Sequence, residues 1–144
     1  MKTILLIHGP NLNLLGKREV RHYGVLTLTA LEKLVKREAK KINLLVAAFQ
    51  SNHEGDLIDF LQKHGARAAG VIINPGALTH YSYALHDALL DINLPTIEVH
   101  LSKVNKREAW RKKSVTAPAC VKVIKGKKER GYLEALNFLH QLIK

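Results

Sequence analysis

The sequence is poor in cysteine and has no long apolar run, and each shortage excludes a class of protein. The single cysteine, Cys120, rules out an intrachain disulfide and suits a reducing compartment, so we expect a cytoplasmic protein. One cysteine beside eight histidines gives none of the ligand spacings of a zinc finger or knuckle, and no metal or other cofactor is predicted. No apolar run approaches the roughly 18 residues that cross a bilayer, so no membrane partner is expected.

Acidic and aromatic residues are also scarce. The 144 residues include 23 lysines and arginines against 12 acidic residues, which gives a net charge of +11. This excess favours an anionic partner, either a nucleic acid or a small acidic molecule. The basic residues are scattered in short runs, aromatic residues make up 6%, and no nucleic-acid-binding motif is present. Nucleic acid is therefore not the expected partner.

Apolar runs alternate with segments of helical period along the whole chain. The pattern predicts strands at 2–8, 43–50, 68–75, 95–101 and 119–125. Helices are predicted from Thr29, at 55–65, 79–92 and 131–143, with a short helix around 106–112. Apolar strands separated by helices are typical of a parallel sheet covered on both faces, so residues 1–144 are predicted to form a single three-layer α/β domain.

Three local patterns refine the helices. Thr29 and Glu32 have the spacing of a capping box at the start of the first helix, and Gly65 is placed to close the second. In the third helix, Tyr83, Leu85, Ala88 and Leu89 are predicted to share one apolar face.

Ligands of open parallel sheets bind beyond the carboxyl ends of the strands, and unusual polar residues occur at those positions. The first such segment, HGPNLN at 8–13, matches neither G-x-G-x-x-G nor a P-loop, which disfavours nucleotide phosphate. Asn11 either caps this turn or has a functional role, and the residues alone leave both open. Farther on, Arg18 precedes Tyr23. A nearby arginine favours the phenolate form of tyrosine, whereas the alternative is a packing tyrosine in a surface loop.

The second and third strands also end in polar segments. In QSNHEG, Ser51 and Asn52 are most simply explained as helix caps. In NPGALTH, proline and glycine force a sharp turn that directs Asn74 and His80 into one crevice.

The fourth strand carries Glu98 and His100, which lie two residues apart and therefore on one side of the strand. A carboxylate in that position can fix the tautomer of an imidazole. The backbone N–H groups of Leu101 and Ser102 follow and are suited to holding an anion, and Arg111 is close enough in sequence to reach the same crevice.

Six segments, in this order and over most of the chain, resemble the type II 3-dehydroquinate dehydratases, also called type II dehydroquinases. They are GPNLNLLGKREVRHYG, QSNHEGDLIDFLQ, GVIINPGALTHYSYALHDAL, PTIEVHLS, SVTAPACVKVIKG and GYLEAL. The resemblance implies a flavodoxin-like fold and a cofactor-free anti elimination of water, in which 3-dehydroquinate becomes 3-dehydroshikimate through an enolate.

The resemblance also implies a role for each candidate residue. Tyr23 is expected to be the base, with Arg18 stabilising its phenolate and Asn11 holding the enolate oxygen. His100 is expected to protonate the departing hydroxyl, with Glu98 orienting the imidazole. Substrate contacts are expected from Asn74, His80, Asp87, Leu101, Ser102 and Arg111.

Further expectations concern a lid and an assembly. Residues 17–24 are expected to form a mobile lid over the site, and Val20 stands where the family usually has proline, which predicts a more mobile lid. The implied assembly is a homododecamer, a tetramer of trimers, with Asp87 near a subunit interface. The alternative is a flavodoxin-like module that binds a nucleotide or other small molecule without lyase activity.

Overall fold

A parallel sheet of five strands forms the centre of the protein. The computed structural model describes residues 1–18, 20–23, 25–103 and 108–144, without the side chains of Val20 and His22. The strands are β1 (Lys2–His8), β2 (Leu44–Gln50), β3 (Gly70–Asn74), β4 (Thr96–His100) and β5 (Lys122–Lys125). The α-helices are α1 (Val20–Tyr23), α2 (Leu28–Lys41), α3 (Glu54–His64), α4 (Tyr83–Asp91) and α5 (Glu129–Leu142). The strand order β2-β1-β3-β4-β5 confirms the predicted flavodoxin-like α/β fold.

The inner strand β1 has an apolar middle because helices cover both faces of the sheet. Ile4 and Leu6 pack into the cluster formed with α2 and α5, whereas Leu5 and Ile7 pack with α3 and α4. Each of these four side chains is at most 1% exposed, and burying one contributes roughly 1.5–3 kcal/mol. The edge strands differ from the prediction: Leu45 in β2 is 50% exposed and Val123 in β5 is 37% exposed.

The predicted capping box at Thr29 is wrong. Helix α2 begins at Leu28, and its cap is Thr27, whose Oγ1 accepts a hydrogen bond from the Ala30 N–H at 3.1 Å. A capping box needs glutamate or glutamine three positions after the cap, and that position is Ala30. Glu32 instead lies 3.2 Å from the Nε2 atom of the buried His8.

The second and third helices also differ from the prediction in detail. Gly65 directly follows α3, as predicted, but its backbone is right-handed, with φ of −56°. The chain continues from it as a 3₁₀ turn to Arg67. Glycine suits this position because an added Cβ would lie 3.1 Å from Ile92 Cγ2. Helix α4 begins at Tyr83, after Ser82 caps it, and not at residue 79. Tyr83 is 61% exposed and lies outside the apolar face that Leu85, Ala88 and Leu89 form.

The remaining boundaries shift by a few residues. The observed strand β5 begins at Lys122, three residues after its predicted start, because Ala117–Ala119 is a 3₁₀ turn. Helix α5 begins at Glu129, two residues before its predicted start. The short helix expected around 106–112 lies partly outside the described residues, and Ala109–Lys112 is a 3₁₀ turn. Within the described part of the chain, no helix combines the length and apolar character needed to cross a membrane.

Candidate active site

One cavity lies beyond the carboxyl ends of β1, β3 and β4. Its volume is about 560 Å³, its open mouth included. The structure places nine of the eleven candidate residues in its lining: Asn11, Arg18, Tyr23, Asn74, His80, His100, Leu101, Ser102 and Arg111. Of the other two, Glu98 is completely buried and hydrogen-bonded to His100, and Asp87 lies on the exposed surface of α4.

Arg18 and Tyr23 form a stacked pair at one side of the cavity. The guanidinium carbon of Arg18 lies 3.7 Å from the centre of the Tyr23 ring. Helix α1 ends at Tyr23, and both side chains are half-buried. A cation over the face of an aromatic ring is attracted to it, more strongly where water is partly excluded. The arginine charge is therefore held against the phenol and does not point into solvent.

His100 and Glu98 form a buried pair at the end of β4. The His100 Nε2 atom lies 2.9 Å from Glu98 Oε2, and the two residues are 5% and 0% exposed. Burial opposes ionisation of Glu98, but the hydrogen bonds from His100, Thr116 and Ser114 and the charge of His100 outweigh it and lower the pKa of the carboxyl. An ionised carboxylate only accepts hydrogen bonds, so Nε2 of His100 carries a hydrogen. The other ring nitrogen, Nδ1, is left to exchange a proton.

Three hydroxyl groups complete the surroundings of Glu98. Thr79 Oγ1 and Ser114 Oγ each lie 3.1 Å from Oε2, and Thr116 donates to Oε1. Burying an ionised carboxylate costs several kcal/mol, whereas each hydrogen bond to a charged group contributes roughly 1.5–3 kcal/mol. The hydroxyls and the imidazole together can therefore offset the burial of this charge.

The loop after β1 is held in shape by the segment after β2. Asn11 has a left-handed conformation, with φ of 70°, and its backbone N–H donates to Asn52 Oδ1 at 2.9 Å. Gln50 Nε2 donates to the same oxygen and to the Gly9 carbonyl, at 3.2 Å each. Asn52 thus positions the cavity residue Asn11, a role that the sequence-based interpretation of Asn52 as a helix cap missed.

The loops after β1 and β3 are in direct backbone contact. The Gly9 N–H donates to the Asn74 carbonyl at 2.7 Å. A Cβ added to Gly9 would lie 2.2 Å from the Pro75 carbonyl oxygen, so no residue with a side chain fits there. Gly76, with φ of 60°, packs against the Pro10 carbonyl in the same way. The segments Gly9-Pro10 and Pro75-Gly76 are therefore packed together and form one side of the cavity.

Asn74 is oriented by two hydrogen bonds. Its Oδ1 accepts from the Gly76 N–H at 3.0 Å, and its Nδ2 donates to the Tyr132 hydroxyl at 3.1 Å. Tyr132 is fully buried on α5, and burial raises the pKa of its phenol, which stays protonated. The carbonyl end and the amino end of Asn74 are thus fixed relative to the cavity.

His80 and Arg111 lie on the opposite side of the cavity. The His80 Nδ1 atom donates to the Lys113 carbonyl at 2.6 Å, which leaves Nε2 as an acceptor in the neutral ring. Trp110 contacts the His80 ring edge-on, with centroids 5.1 Å apart, and Arg111 stacks on Trp110 at 4.1 Å. Arg111 also donates to the Glu108 carboxylate. The aromatic ring therefore supports both polar side chains.

Among the described residues, no group of three or more His, Cys, Asp or Glu side chains has an arrangement that would hold a metal ion. Cys120 is close to Glu98 but is a poor ligand or nucleophile, because burial, and then the Glu98 charge, raise the pKa of its thiol to about 12.

Fold and cavity together define a flavodoxin-like α/β domain with a cavity lined by ionisable side chains at the carboxyl edge of its sheet. Residues 2–140 match the family described as dehydroquinase class II. The chain is 50% identical over 144 residues to the 3-dehydroquinate dehydratase of Caldicellulosiruptor saccharolyticus, covering 99% of each chain. It is also 50% identical over 142 residues to the Clostridium perfringens protein of that name, covering 98% of this chain and 99% of that one.

Solved structures give the same result. The type II dehydroquinase of Butyrivibrio crossotus superposes with a TM-score of 0.93 at 45% identity, covering 96% of this chain and 97% of that one. The type II dehydroquinase of Propionibacterium acnes superposes with a TM-score of 0.94 at 34% identity, covering 98% of this chain and 97% of that one. The chain belongs to the class II dehydroquinase family.

Proposed function

We propose that this protein is a 3-dehydroquinate dehydratase that removes water from 3-dehydroquinate to give 3-dehydroshikimate. The observation that carries the proposal is a single cavity with an arginine-stacked tyrosine on one side and a carboxylate-bound histidine on another. These are the two proton-transfer groups that an elimination needs. Family membership supports the same activity and does not favour the alternative of a binding module without lyase activity.

In the first step, the Tyr23 phenolate takes the C2 proton of the substrate. Tyrosine is ordinarily a weak acid with a pKa of about 10, so a phenolate base near neutral pH needs a nearby positive charge. Arg18, stacked 3.7 Å from the ring centre, is suited to this role. The electrons of the C2–H bond then form an enolate. Asn11, on its fixed left-handed loop, is placed to hold a water or the oxygen on which the charge develops.

In the second step, His100 protonates the C1 hydroxyl as the C–O bond breaks and water leaves. His100 enters this step as the imidazolium, with hydrogens on both nitrogens. The Nδ1 proton is transferred, because the Nε2–H remains hydrogen-bonded to Glu98, and the ring is left neutral. Tyr23 has then gained a proton and His100 has lost one, so solvent exchange restores both groups. This assigns Glu98 the role of a positioning residue.

Substrate binding falls to the remaining polar groups of the cavity. The amide hydrogen of Asn74 that is not bonded to Tyr132 is suited to a substrate hydroxyl, and Nε2 of His80 is suited to accept from another. The buried backbone of Leu101 and Ser102, with Arg111, provides donors for the substrate carboxylate.

We also propose the homododecamer, with Asp87 acting at the site of a neighbouring subunit. Asp87 is 74% exposed and is bonded to His86 at 3.1 Å, outside the lining of its own cavity. Exposed Tyr81, Tyr83 and Leu90 lie on or beside the same helix and provide apolar surface for contact. Analytical ultracentrifugation tests this, and a monomer with full activity would refute it.

Residues 17–24 remain our proposed lid. We also propose a cytoplasmic location, which fits the presence of a single free thiol. Residues 19 and 24 of the segment, and the side chains of Val20 and His22, lie outside what the structure describes. Hydrogen exchange of residues 17–24 with and without a substrate analogue tests the lid, and equal exchange in the two states would contradict it.

The proposed function is tested by measuring the formation of 3-dehydroshikimate from 3-dehydroquinate. The absorbance of the conjugated enone in the product reports the reaction. We expect the wild-type protein to be active and Tyr23→Phe to lose about 10²–10⁴-fold in kcat, the usual contribution of a general base. Tyr81→Phe is the matched control, because this tyrosine is 62% exposed and outside the cavity lining. Full activity of Tyr23→Phe would exclude the proposed base.

Borohydride separates this mechanism from one that passes through an imine. The described residues that line the cavity do not include lysine, so we expect borohydride with substrate to leave the activity unchanged. Inactivation by borohydride in the presence of substrate would contradict the mechanism.

A further inference from the structure

We infer that Thr79, Ser114 and Thr116 are positioning residues for the elimination: their hydroxyl groups hold the buried Glu98 as a carboxylate, which fixes the Nε2 hydrogen of His100 and stabilises the protonated ring that donates from Nδ1. We call these three residues the hydroxyl triad. The inference rests on the proposed function, because it assigns the triad an effect on the proton donor of that reaction.

The hydrogen count of the cluster supports an ionised Glu98. Each hydroxyl has one hydrogen to donate. Thr116 gives its hydrogen to Oε1, while Thr79 and Ser114 each lie 3.1 Å from Oε2 and 2.7 Å from one another. Thr79 Oγ1 also lies 2.9 Å from Thr116 Oγ1, so each of these two hydroxyls donates either to Oε2 or to another hydroxyl of the triad. The carboxylate therefore accepts hydrogen bonds from His100 and Thr116, and two further hydroxyls lie within hydrogen-bonding distance of Oε2.

Other contacts fix the triad itself. The Ala117 N–H donates to Ser114 Oγ at 3.0 Å, which occupies an acceptor site and directs the Ser114 hydrogen towards its neighbours. The Val115 N–H donates to the Thr79 carbonyl at 2.6 Å, so the segment after Lys113 is bound to the turn after β3. Thr79 and Thr116 are each at most 1% exposed. Water therefore has little access to replace the hydroxyl of Thr79 or Thr116.

The triad affects catalysis through the tautomer of His100. If Glu98 became protonated, it would donate to Nε2, and the neutral ring would carry its hydrogen on Nδ1. The protonated form of His100 would then lose its anionic partner and form less readily, so fewer enzyme molecules would hold an Nδ1 proton ready for transfer. His100 is the residue whose charge acts on Glu98. The nearby Cys120 thiol adds no charge, because burial raises its pKa to about 12.

The experiment compares Thr116→Val, Thr116→Ser and Thr96→Val in the full-length protein. Valine replaces threonine with nearly the same volume but without the hydroxyl. Thr96 is the matched control, since it is a fully buried threonine of the same strand as Glu98 whose hydroxyl donates to the Leu94 carbonyl at 3.1 Å. Ser114→Ala is a second test if Thr116→Val does not fold. The readouts are kcat, KM and the ¹⁵N chemical shifts of the His100 ring.

We expect Thr116→Val to lower kcat by about tenfold to hundredfold, from the usual strength of a hydrogen bond to a charged group, with KM changed less than about threefold. Thr116→Ser should restore most of kcat, and Thr96→Val should keep it. In neutral His100, the hydrogen should move from Nε2 in the wild type towards Nδ1 in Thr116→Val. His80 is an internal reference, because the Lys113 carbonyl fixes its tautomer.

Wild-type kcat and an unchanged His100 tautomer in Thr116→Val would overturn the inference, as would equal loss of activity in Thr116→Val and Thr116→Ser. The ring shifts do not depend on turnover. If the wild-type protein lacked dehydratase activity, the proposed function would fail, while the tautomer of His100 would still report on the triad.

Discussion

The contact between the loops after β1 and β3 makes Gly9→Ala the most informative single substitution for the shape of the cavity. An added Cβ would lie 2.2 Å from the Pro75 carbonyl oxygen and 2.5 Å from its carbon, whereas real Cβ contacts essentially never fall below 3.0 Å. The two backbones would have to separate by about 0.8 Å, the difference between these distances. Neither partner is a flexible side chain, so the strain cannot be relieved by a rotamer change.

Both stability and activity should fall. Overpacking of this kind costs about 1–3 kcal/mol, and at roughly 4 °C per kcal/mol the melting temperature should drop by about 4–12 °C. The displaced loops carry Asn11 and Asn74, and a misplacement on the order of 1 Å can cost about a hundredfold in rate. We therefore expect kcat/KM to fall by roughly tenfold to a hundredfold.

Thermal melting followed by circular dichroism, together with the enone assay, measures both effects. Gly55→Ala is the matched control, because nothing lies within 4 Å of the added Cβ. It is in the first turn of α3, where alanine is favoured over glycine by up to about 1 kcal/mol, so its melting temperature should be equal or slightly higher. Wild-type melting and wild-type kcat/KM in Gly9→Ala would refute the contact between the loops.

Three further predictions concern charge. If the net charge of +11 attracts the carboxylate substrate, kcat/KM should fall as ionic strength rises, and an unchanged kcat/KM would assign the charge another role. Glu98 and Glu32 have folded-state pKa values below the ordinary 4.5, so they stabilise the fold above that pH, and this stability is lost as pH falls through the folded values. Urea midpoints measured from about pH 6 to 3 should show the loss, and Glu32→Gln should flatten part of it. Finally, because burial raises the Cys120 thiol pKa to about 12, iodoacetamide should modify native protein far more slowly than unfolded protein at neutral pH, and equal rates would contradict the burial.

The sheet could be predicted from the sequence because its signal is local. Because β1 is buried on both faces, apolar residues occupy four consecutive positions, Ile4 to Ile7. Such a run is visible in the sequence without any knowledge of distant contacts. The carboxyl-edge rule then located the cavity, since Asn74 and His100 lie at the ends of their strands. One local signal was missed. The triplet Ile-Asn-Leu occurs at 42–44 and 92–94, and both asparagines have left-handed φ, 61° and 51°, just after α2 and α4.

Other parts of the site could not be predicted because they depend on contacts between distant residues. Thr79 meets Ser114 and Thr116 across 35 and 37 positions, and Asn11 meets Asn52 across 41. A hydroxyl or amide has no periodicity that shows which distant atom it will bond. Strand alternation paired Glu98 with His100, and the resemblance to a family gave them roles, but neither indicated the hydroxyls that surround the carboxylate.

The exposed edge of the sheet at β5 has a consequence for handling the protein at high concentration. An edge strand presents unpaired backbone groups to which a strand of another molecule can add. Here Lys122 and Lys125 flank the exposed Val123, and their like charges oppose the approach of a second copy. Added salt weakens this repulsion. Colloidal stability should therefore be greatest in dilute buffer, and aggregation should begin from this strand when its lysines are acetylated or screened.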